Sequence, residues 1–244
     1  MKGKVIMITG ATSGIGHATA LLFAQHGVKV VAVGRNEKVG NLLVEEISDK
    51  GGEALFLKAD ISEAKAVKSL VETTQKHFGR LDYALNNAGI EGTLISLADV
   101  KEEEWDALMN TNLKGLWLCM KYEIPAMIQN GAGVIINIST NLTKLSEPTT
   151  SMYTASKAAV EALTRIAAVE YGPYGIRINA INPGAVETPM IRRIFSDEML
   201  MELKEKNPLK KIAEPQDIAE AVLWTCSPKA KHINGTLFTI DGGS

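Results

Sequence analysis

Apolar, β-prone bursts recur along the chain: VIMI at 5–8, VKVVAV at 28–33, EALFLKAD at 53–60, LDYALNNAG at 81–89, GVIINIS at 133–139, IRINAINPG at 176–184 and TLFTIDGG at 236–243. Each is short and close to continuously apolar, which predicts strands buried on both faces. Between them the apolar spacing changes to three and four, as at Ala18, Leu21, Leu22 and Ala24, or at Val67, Leu70, Val71 and Thr74, and that period predicts helices. Strand alternating with helix implies an α/β fold with a doubly wound, seven-stranded parallel sheet, because each right-handed crossover lays its helix on one face. No Pro/Ser-rich linker, low-complexity tract or repeat interrupts the pattern, so residues 1–244 read as a single domain.

Composition narrows the class without changing the architecture. The chain is 45% hydrophobic and 22% charged with a net charge of −2, which describes a soluble globular protein with no basic surface for nucleic acid or anionic lipid. Cys119 and Cys226 lack metal-ligand spacing and are too few for a disulfide framework, so they read as free thiols of a reducing compartment. Lys2 and Lys4 precede only the four apolar residues Val5 to Ile8, too short for a signal segment, and no later run reaches membrane-spanning length. The expectation is a cytoplasmic protein. His17, His26, His77 and His232 are scattered, so no metal site is expected.

Candidate chemistry begins after the first strand, where the chain reads Gly10-Ala-Thr-Ser-Gly14-Ile-Gly16. Glycines let a backbone turn sharply and approach a pyrophosphate, and the N–H groups opening the following helix attract its charge, with Thr12 and Ser13 adding hydroxyl donors. The competing reading is a plain tight turn. Its position favours the cradle, because open α/β sheets of this Rossmann-like kind bind ligands at the carboxyl ends of their strands, and a second turn, Asn86-Asn87-Ala88-Gly89, ends the fourth strand. At the end of the second strand an acid would accept bonds from the adenosine ribose and repel a 2′-phosphate. Here Gly34 and Arg35 stand instead, and a guanidinium offers bidentate contacts to phosphate. NADP(H) is therefore expected over NAD(H), with NAD(H) possible and a merely solvated Arg35 the alternative. Asp60 reads as a partner for the adenine amino group or as a helix cap near Ser62.

In MYTASKAAVEALTRIAAVEYG, Tyr153 and Lys157 lie four residues apart on one helical face. An unperturbed tyrosine transfers protons poorly near neutrality, but a neighbouring ammonium favours its phenolate and makes an acid/base catalyst. Such a pair alone is often surface decoration. With TGATSGIG at 9–16, NNAG at 86–89, Asn112 within NTNLKG, the hydroxyls at 139–140, YTASK at 153–157, NPGAVETPM at 182–190 and IDGG at 240–243, the chain resembles the classical short-chain dehydrogenase/reductase family over its full length. The resemblance implies Tyr153 as general acid/base, Lys157 as the cation that lowers its pKa and holds the nicotinamide ribose, and Asn112 as the anchor of a relay water. It places Gly10, Thr12, Ser13, Gly14, Ile15, Gly16, Arg35, Asp60, Ile61, Asn87, Ala88 and Gly89 along the cofactor. Pro183, Gly184, Val186 and Thr188 line its nicotinamide, with the Thr188 side chain or the Val186 backbone fixing the carboxamide.

One position departs from the family. Thirteen residues before Tyr153, where the family usually carries serine, this chain has Thr140, with Ser139 pointing to the opposite face of its strand. Threonine still donates a hydroxyl, so the substrate contacts are assigned to Thr140, Tyr153 and Met190. The implied chemistry is hydride transfer between a nicotinamide and a ketone or secondary alcohol, with no metal. Met190 to Lys211 carries apolar residues at helical spacing and reads as a lid, ordinary packing being the alternative, while Arg192 and Arg193 are either solvated or open to an acidic substrate. Two other functions remain: a 3-oxoacyl-carrier-protein reductase, for which Arg165, Arg192 and Arg193 are a thin docking patch, and a cofactor-sensing protein with little turnover. The resemblance implies a homotetramer. Ala155, Ala158, Ala159 and Ala162 would allow close helix contact, an Ala-rich helix packed inside one subunit being the competing account.

Overall fold

A computed structural model describes residues 1–145 and 147–244. Its strands are β1 (Val5–Thr9), β2 (Lys29–Gly34), β3 (Ala54–Lys58), β4 (Tyr83–Asn86), β5 (Gly133–Ile138), β6 (Ile176–Pro183) and β7 (Leu237–Ile240), joined into one seven-stranded parallel sheet of order β3-β2-β1-β4-β5-β6-β7. The order reverses between β1 and β4, so the connections leaving those strands part company and open a crevice beyond their carboxyl ends. Along β1, Ile6 and Ile8 enter one apolar cluster while Val5 and Met7 enter the other, the two-residue period of a strand buried on both faces.

The helices divide accordingly. On one face, α1 (Gly14–Gln25), α2 (Glu37–Asp49) and α9 (Pro215–Cys226) bring Phe23, Leu43, Ile47, Ile218 and Val222 to the first cluster. On the other, α3 (Ala64–Phe78), α5 (Leu116–Gln129) and α6 (Ser151–Tyr171) bring Leu70, Val71, Met120 and Val160 to the second. The stripe Val67, Leu70, Val71 and Thr74 is buried as its spacing implies. On α1 the buried face runs through Ala20, Leu22, Phe23 and Ala24, while Ala18 and Leu21 are half-buried because α9 crosses there. The remaining helices are α4 (Glu102–Met109), α7 (Ile191–Ile194) and α8 (Asp197–Lys206).

Three strands stop short of their apolar runs for local reasons. β4 ends at Asn86 because the next two amides, those of Asn87 and Ala88, are taken by the Thr9 hydroxyl. β7 ends at Ile240 because Gly242 and Gly243 adopt left-handed backbone with φ of 70° and 93°. β3 stops at Lys58, and the chain then turns through Asp60. Between α4 and α5 the chain makes a π-helical turn, Asn110–Gly115, which the apolar pattern does not signal. Among the described residues no helix is long and apolar enough to cross a membrane.

Candidate active site

β1 delivers the chain to Gly10, which turns at a φ of 66°, and Gly14 follows at 53°, both in the region that favours glycine. A Cβ on Gly16 would collide with the Gly10 carbonyl, and one on Gly10 would lie 2.8 Å from Asn87 Nδ2, so the loop packs too closely for side chains. The cap of α1, Ser13, makes no side-chain capping bond, and the first turn carries no acidic residue. Its hydroxyl and the leading helix amides are thereby left to an anion. The second turn is fastened to the first: Asn87 Nδ2 donates to the carbonyls of Thr9 (3.1 Å) and Gly10 (3.2 Å), and Thr9 Oγ1 accepts the amides of Asn87 (3.0 Å) and Ala88 (3.1 Å). Glycine-loop reasoning passed over Thr9, whose buried hydroxyl joins both turns. The residues present fit a dinucleotide pyrophosphate.

At the far end of the crevice a Cβ on Gly34 would lie 2.9 Å from Thr12 Cγ2, so a longer side chain there would press on the glycine loop. Arg35 is exposed and forms no ion pair among the described residues. Asp60 is not a helix cap: its Oδ1 accepts the amide (2.9 Å) and hydroxyl (2.8 Å) of Ser62, which hold its carboxyl below the usual range, and the cap of α3 falls to Glu63. Ile61 packs with Ala88 and Leu118 in a small cluster under the same rim.

On the opposite side, Gly184 donates its amide to Ile240 O at 3.0 Å and lies under Asp241, whose Cβ would be 2.7 Å from a Cβ on Gly184. Val186 forms a parallel bridge to Ala213, and Thr188 Cγ2 lies 2.9 Å from where a Gly14 Cβ would stand, so the segment after Pro183 meets the glycine loop. Thr188 Oγ1 donates to Val186 O and accepts Ile191 N, which starts α7 just beyond Met190. The apolar stretch expected as a lid is split at Phe195 and Ser196 into α7 and α8. It buries Ile191 and Leu200 and leaves Met199 and Met201 exposed. Neither arginine of α7 is free: Arg192 pairs with Glu187 and Asp197, and Arg193 makes a two-bond contact to Glu91 at 2.8 and 3.2 Å.

The catalytic candidates converge between these walls. Lys157, almost fully buried on α6, donates to Ile138 O at 2.8 Å, and its Nζ stands 5.8 Å from the Tyr153 ring centre. Burial pushes the lysine down to about 8. It pushes the Tyr153 phenol up, to about 12, with the Glu91 charge adding to the rise and a hydrogen bond from Thr140 opposing it. The phenol is thus held protonated, where ammonium proximity alone had implied a lowered value. Thr140 Oγ1 accepts Leu142 N at 3.3 Å, leaving its proton to donate. Ser139 points away, to Glu161 Oε1 at 3.1 Å, as strand alternation requires. Asn112, on the π-turn, is held by two 2.8 Å bonds to the backbone of Ile90, and a Gly89 Cβ would stand 3.2 Å from its Oδ1 and 3.6 Å from Lys157 Nζ.

Sequence reasoning also missed Glu161. Its Oε1 accepts Ser139 Oγ, Thr143 Oγ1 (2.6 Å) and Asn182 Nδ2, tying the ends of β5 and β6 to the catalytic helix. The signal was present in its spacing, four residues after Lys157 and so on the same face.

A family model described as enoyl-(acyl carrier protein) reductase matches residues 10–244. The 2,5-dichloro-2,5-cyclohexadiene-1,4-diol dehydrogenase of Sphingobium indicum is 39% identical over 246 residues, covering 100% of this chain and 97% of that one. Levodione reductase superposes with a TM-score of 0.96 at 34% identity, covering 100% of this chain and 98% of that one. A 7α-hydroxysteroid dehydrogenase complexed with NADH and 7-oxo glycochenodeoxycholic acid superposes with a TM-score of 0.96 at 32% identity, covering 100% and 94%. With its parallel sheet, its glycine cradle at the β1–β4 reversal and its Tyr153/Lys157 helix, the chain belongs to the short-chain dehydrogenase/reductase family.

Proposed function

We propose that this protein is an oxidoreductase that interconverts a ketone and a secondary alcohol, with Tyr153 as its general acid/base. The observation that carries the reading is the meeting of three groups beside the glycine cradle: the donating Thr140 hydroxyl, the protonated Tyr153 phenol and the buried Lys157 ammonium. A bound nicotinamide supplies or accepts the hydride at the substrate carbon. In the reductive direction Thr140 and Tyr153 donate hydrogen bonds to the substrate oxygen, and Tyr153 gives its proton to that oxygen as negative charge develops there. Lys157 compensates the phenolate left behind. Both side-chain ends of Asn112 are engaged with Ile90, so the relay water assigned to it meets its backbone carbonyl.

Gly10 to Gly16, Asn87 to Gly89, Asp60 and Ile61 hold the dinucleotide in this reading, with Pro183, Gly184, Val186 and Thr188 against the nicotinamide. Arg35, charged and without an ion-pair partner among the described residues, selects NADP(H) by its 2′-phosphate, and Gly34 leaves no acid to oppose it. The substrate class is cyclic: one relative is named for a cyclic diol and another holds a 7-oxo steroid acid. A 3-oxoacyl-carrier-protein reductase is the alternative: the matching family model is described as an acyl-carrier-protein reductase, and of the three arginines Arg165 is exposed while Arg192 and Arg193 are paired with carboxylates. The protein works in the cytoplasm as a homotetramer, and its 244 residues act as one domain.

The test is to titrate NADPH and NADH by nicotinamide fluorescence and follow cyclic ketones by NADPH absorbance. Tyr153→Phe keeps the binding curve and lowers turnover by roughly 10²–10⁴-fold, the usual contribution of a general acid. Dinucleotide binding with no ketone turned over leaves a sensor instead of an enzyme. Tighter NADH binding removes the role given to Arg35.

A further inference from the structure

Beneath the second turn, hydrogen-bond direction can be followed from the catalytic helix to a buried carboxyl. Thr164 on α6 donates its hydroxyl to Val160 O at 2.8 Å, so its oxygen can only accept from Asn137, whose Nδ2 lies 2.9 Å away. Asn137 Oδ1 therefore faces Asn86 and accepts from its Nδ2 at 3.1 Å. The second proton of that amide goes to Glu123 Oε2 at 3.0 Å. With the second Asn137 proton directed to Met120 Sδ at 3.4 Å every donor is spent, yet two buried acceptors of this chain of bonds remain without a partner, Asn86 Oδ1 and Glu123 Oε1. They belong to the same two groups that the 3.0 Å bond already joins. An ionised carboxylate would leave both buried oxygens unsatisfied, whereas one proton on Glu123 serves both.

We infer that Glu123 is a neutral carboxylic acid whose Oε1 proton is donated to Asn86 Oδ1, and that this acid–amide pair is a positioning element for the dinucleotide-binding turn. The two bonds, amide N–H to Oε2 and acid O–H to Oδ1, close a ring. Asn86 is the last residue of β4, and the turn that follows is stitched to the glycine loop through Asn87. Glu123 thereby fixes the floor of the crevice without touching cofactor.

The electrostatic setting agrees. Glu123 is fully buried on α5 and enters no ion pair among the described residues, and burial pushes its carboxyl up to about 8 from an ordinary 4.5. On its own helix, Cys119 lies one turn back with its thiol held well above its ordinary range by burial, Lys121 is exposed over the Trp117 and Tyr122 rings, and Tyr122 is half-buried. The titratable side chains of α3, Lys65, Lys68, Glu72, Lys76 and His77, are all exposed. On β4, Asp82 is bound by Lys4 and Arg80, and Tyr83 lies on the face of the sheet opposite α5, against Phe23. Lys157 and Glu161 on α6 are committed to Ile138 O and to Ser139, Thr143 and Asn182, and Arg177 on β6 to Thr225 O and Ile233 O.

Glu123→Gln and Glu123→Leu test the pair in the full chain. Glutamine reproduces both bonds with no titratable proton. At pH 7 the wild type shows an infrared carbonyl band of a protonated carboxylic acid that Glu123→Gln lacks. A raised carboxyl keeps its proton in the fold after the unfolded chain has lost it, so wild-type stability declines as pH rises from about 4.5 to about 8 and then levels. The gap in Tm between Glu123→Gln and wild type accordingly widens across that window. Absence of the band, or a gap that stays flat, overturns the neutral acid. The positioning role rests on the proposed dinucleotide site: Glu123→Leu, which strands the Asn86 amide, weakens NADPH binding about tenfold, and Glu123→Gln restores it. Equal weakening in both variants overturns that role. If the band and the widening gap are present but wild type binds neither dinucleotide, the functional reading fails and the protonated pair stands.

Discussion

At Thr140 the difference from serine is one methyl group, and its surroundings set what that methyl does. The side chain is buried and its oxygen accepts the Leu142 amide, so its orientation is already set by one bond and its proton is left to donate. A β-branched residue is already stiff at χ1, which favours holding the donor in place over swinging it to solvent. Thr140→Ala removes a donor aimed at developing negative charge and is expected to lower kcat for ketone reduction by about 10²–10³-fold. Thr140→Ser keeps the donor, and its rate stays near wild type while KM responds to the freed volume. An alanine variant as fast as wild type would remove Thr140 from the mechanism. Ser139 does not substitute for it, since its hydroxyl is spent on Glu161 Oε1 and Lys157 O.

The π-turn between α4 and α5 shows how an element can serve the site that surrounds it. One extra residue per turn leaves helix carbonyls unpaired, and Asn112 occupies that widened turn with its side chain bonded back to Ile90. Asn112→Asp keeps the acceptor for Ile90 N but sets a second oxygen against Ile90 O in place of a donor. It is expected to destabilise the fold by about 1–3 kcal/mol, read as the shift in urea unfolding midpoint at unchanged slope, and to lower turnover with it. The seven strands and the Tyr153/Lys157 face were legible in the chain because their periods are short: a run of apolar residues for each strand and a spacing of four for the pair. The π-turn was not, because its five-residue bonding leaves no apolar period and its anchor, Ile90, lies 22 positions away. Glu123 sits among apolar residues of α5, where a glutamate reads as a surface charge until its burial is known. The pair Glu91 and Arg193, separated by 102 positions, likewise carries no local signature.

For the whole molecule the question is what covers α6. Ala155, Ala158 and Ala162 are exposed, and the stripe continues through Ile166 and Val169, which are 58% and 77% exposed. Of the four alanines only Ala159 is half-buried, so packing inside one subunit does not account for the other three, whose positions recur every three or four residues on the outward face. Trp117 on α5 is likewise exposed, at 42%. Small residues let two backbones approach closely, and large apolar ones at the end of the stripe supply area to bury, which suits a second copy of the same helix in a closed symmetric assembly. The catalytic pair lies on the same helix but inward, so the assembly would stiffen α6 from outside without entering the site. A charge at Val169 tests this directly. Val169→Glu places two like carboxylates into a self-matched contact and is expected to shift the protein from a multiple to the mass of one or two chains in light scattering coupled to size exclusion. Val169→Thr, uncharged and of similar shape, should retain the assembly. A wild type already at the mass of one chain would leave the stripe as bare surface, and identical masses for wild type and Val169→Glu would move the interface elsewhere on the molecule.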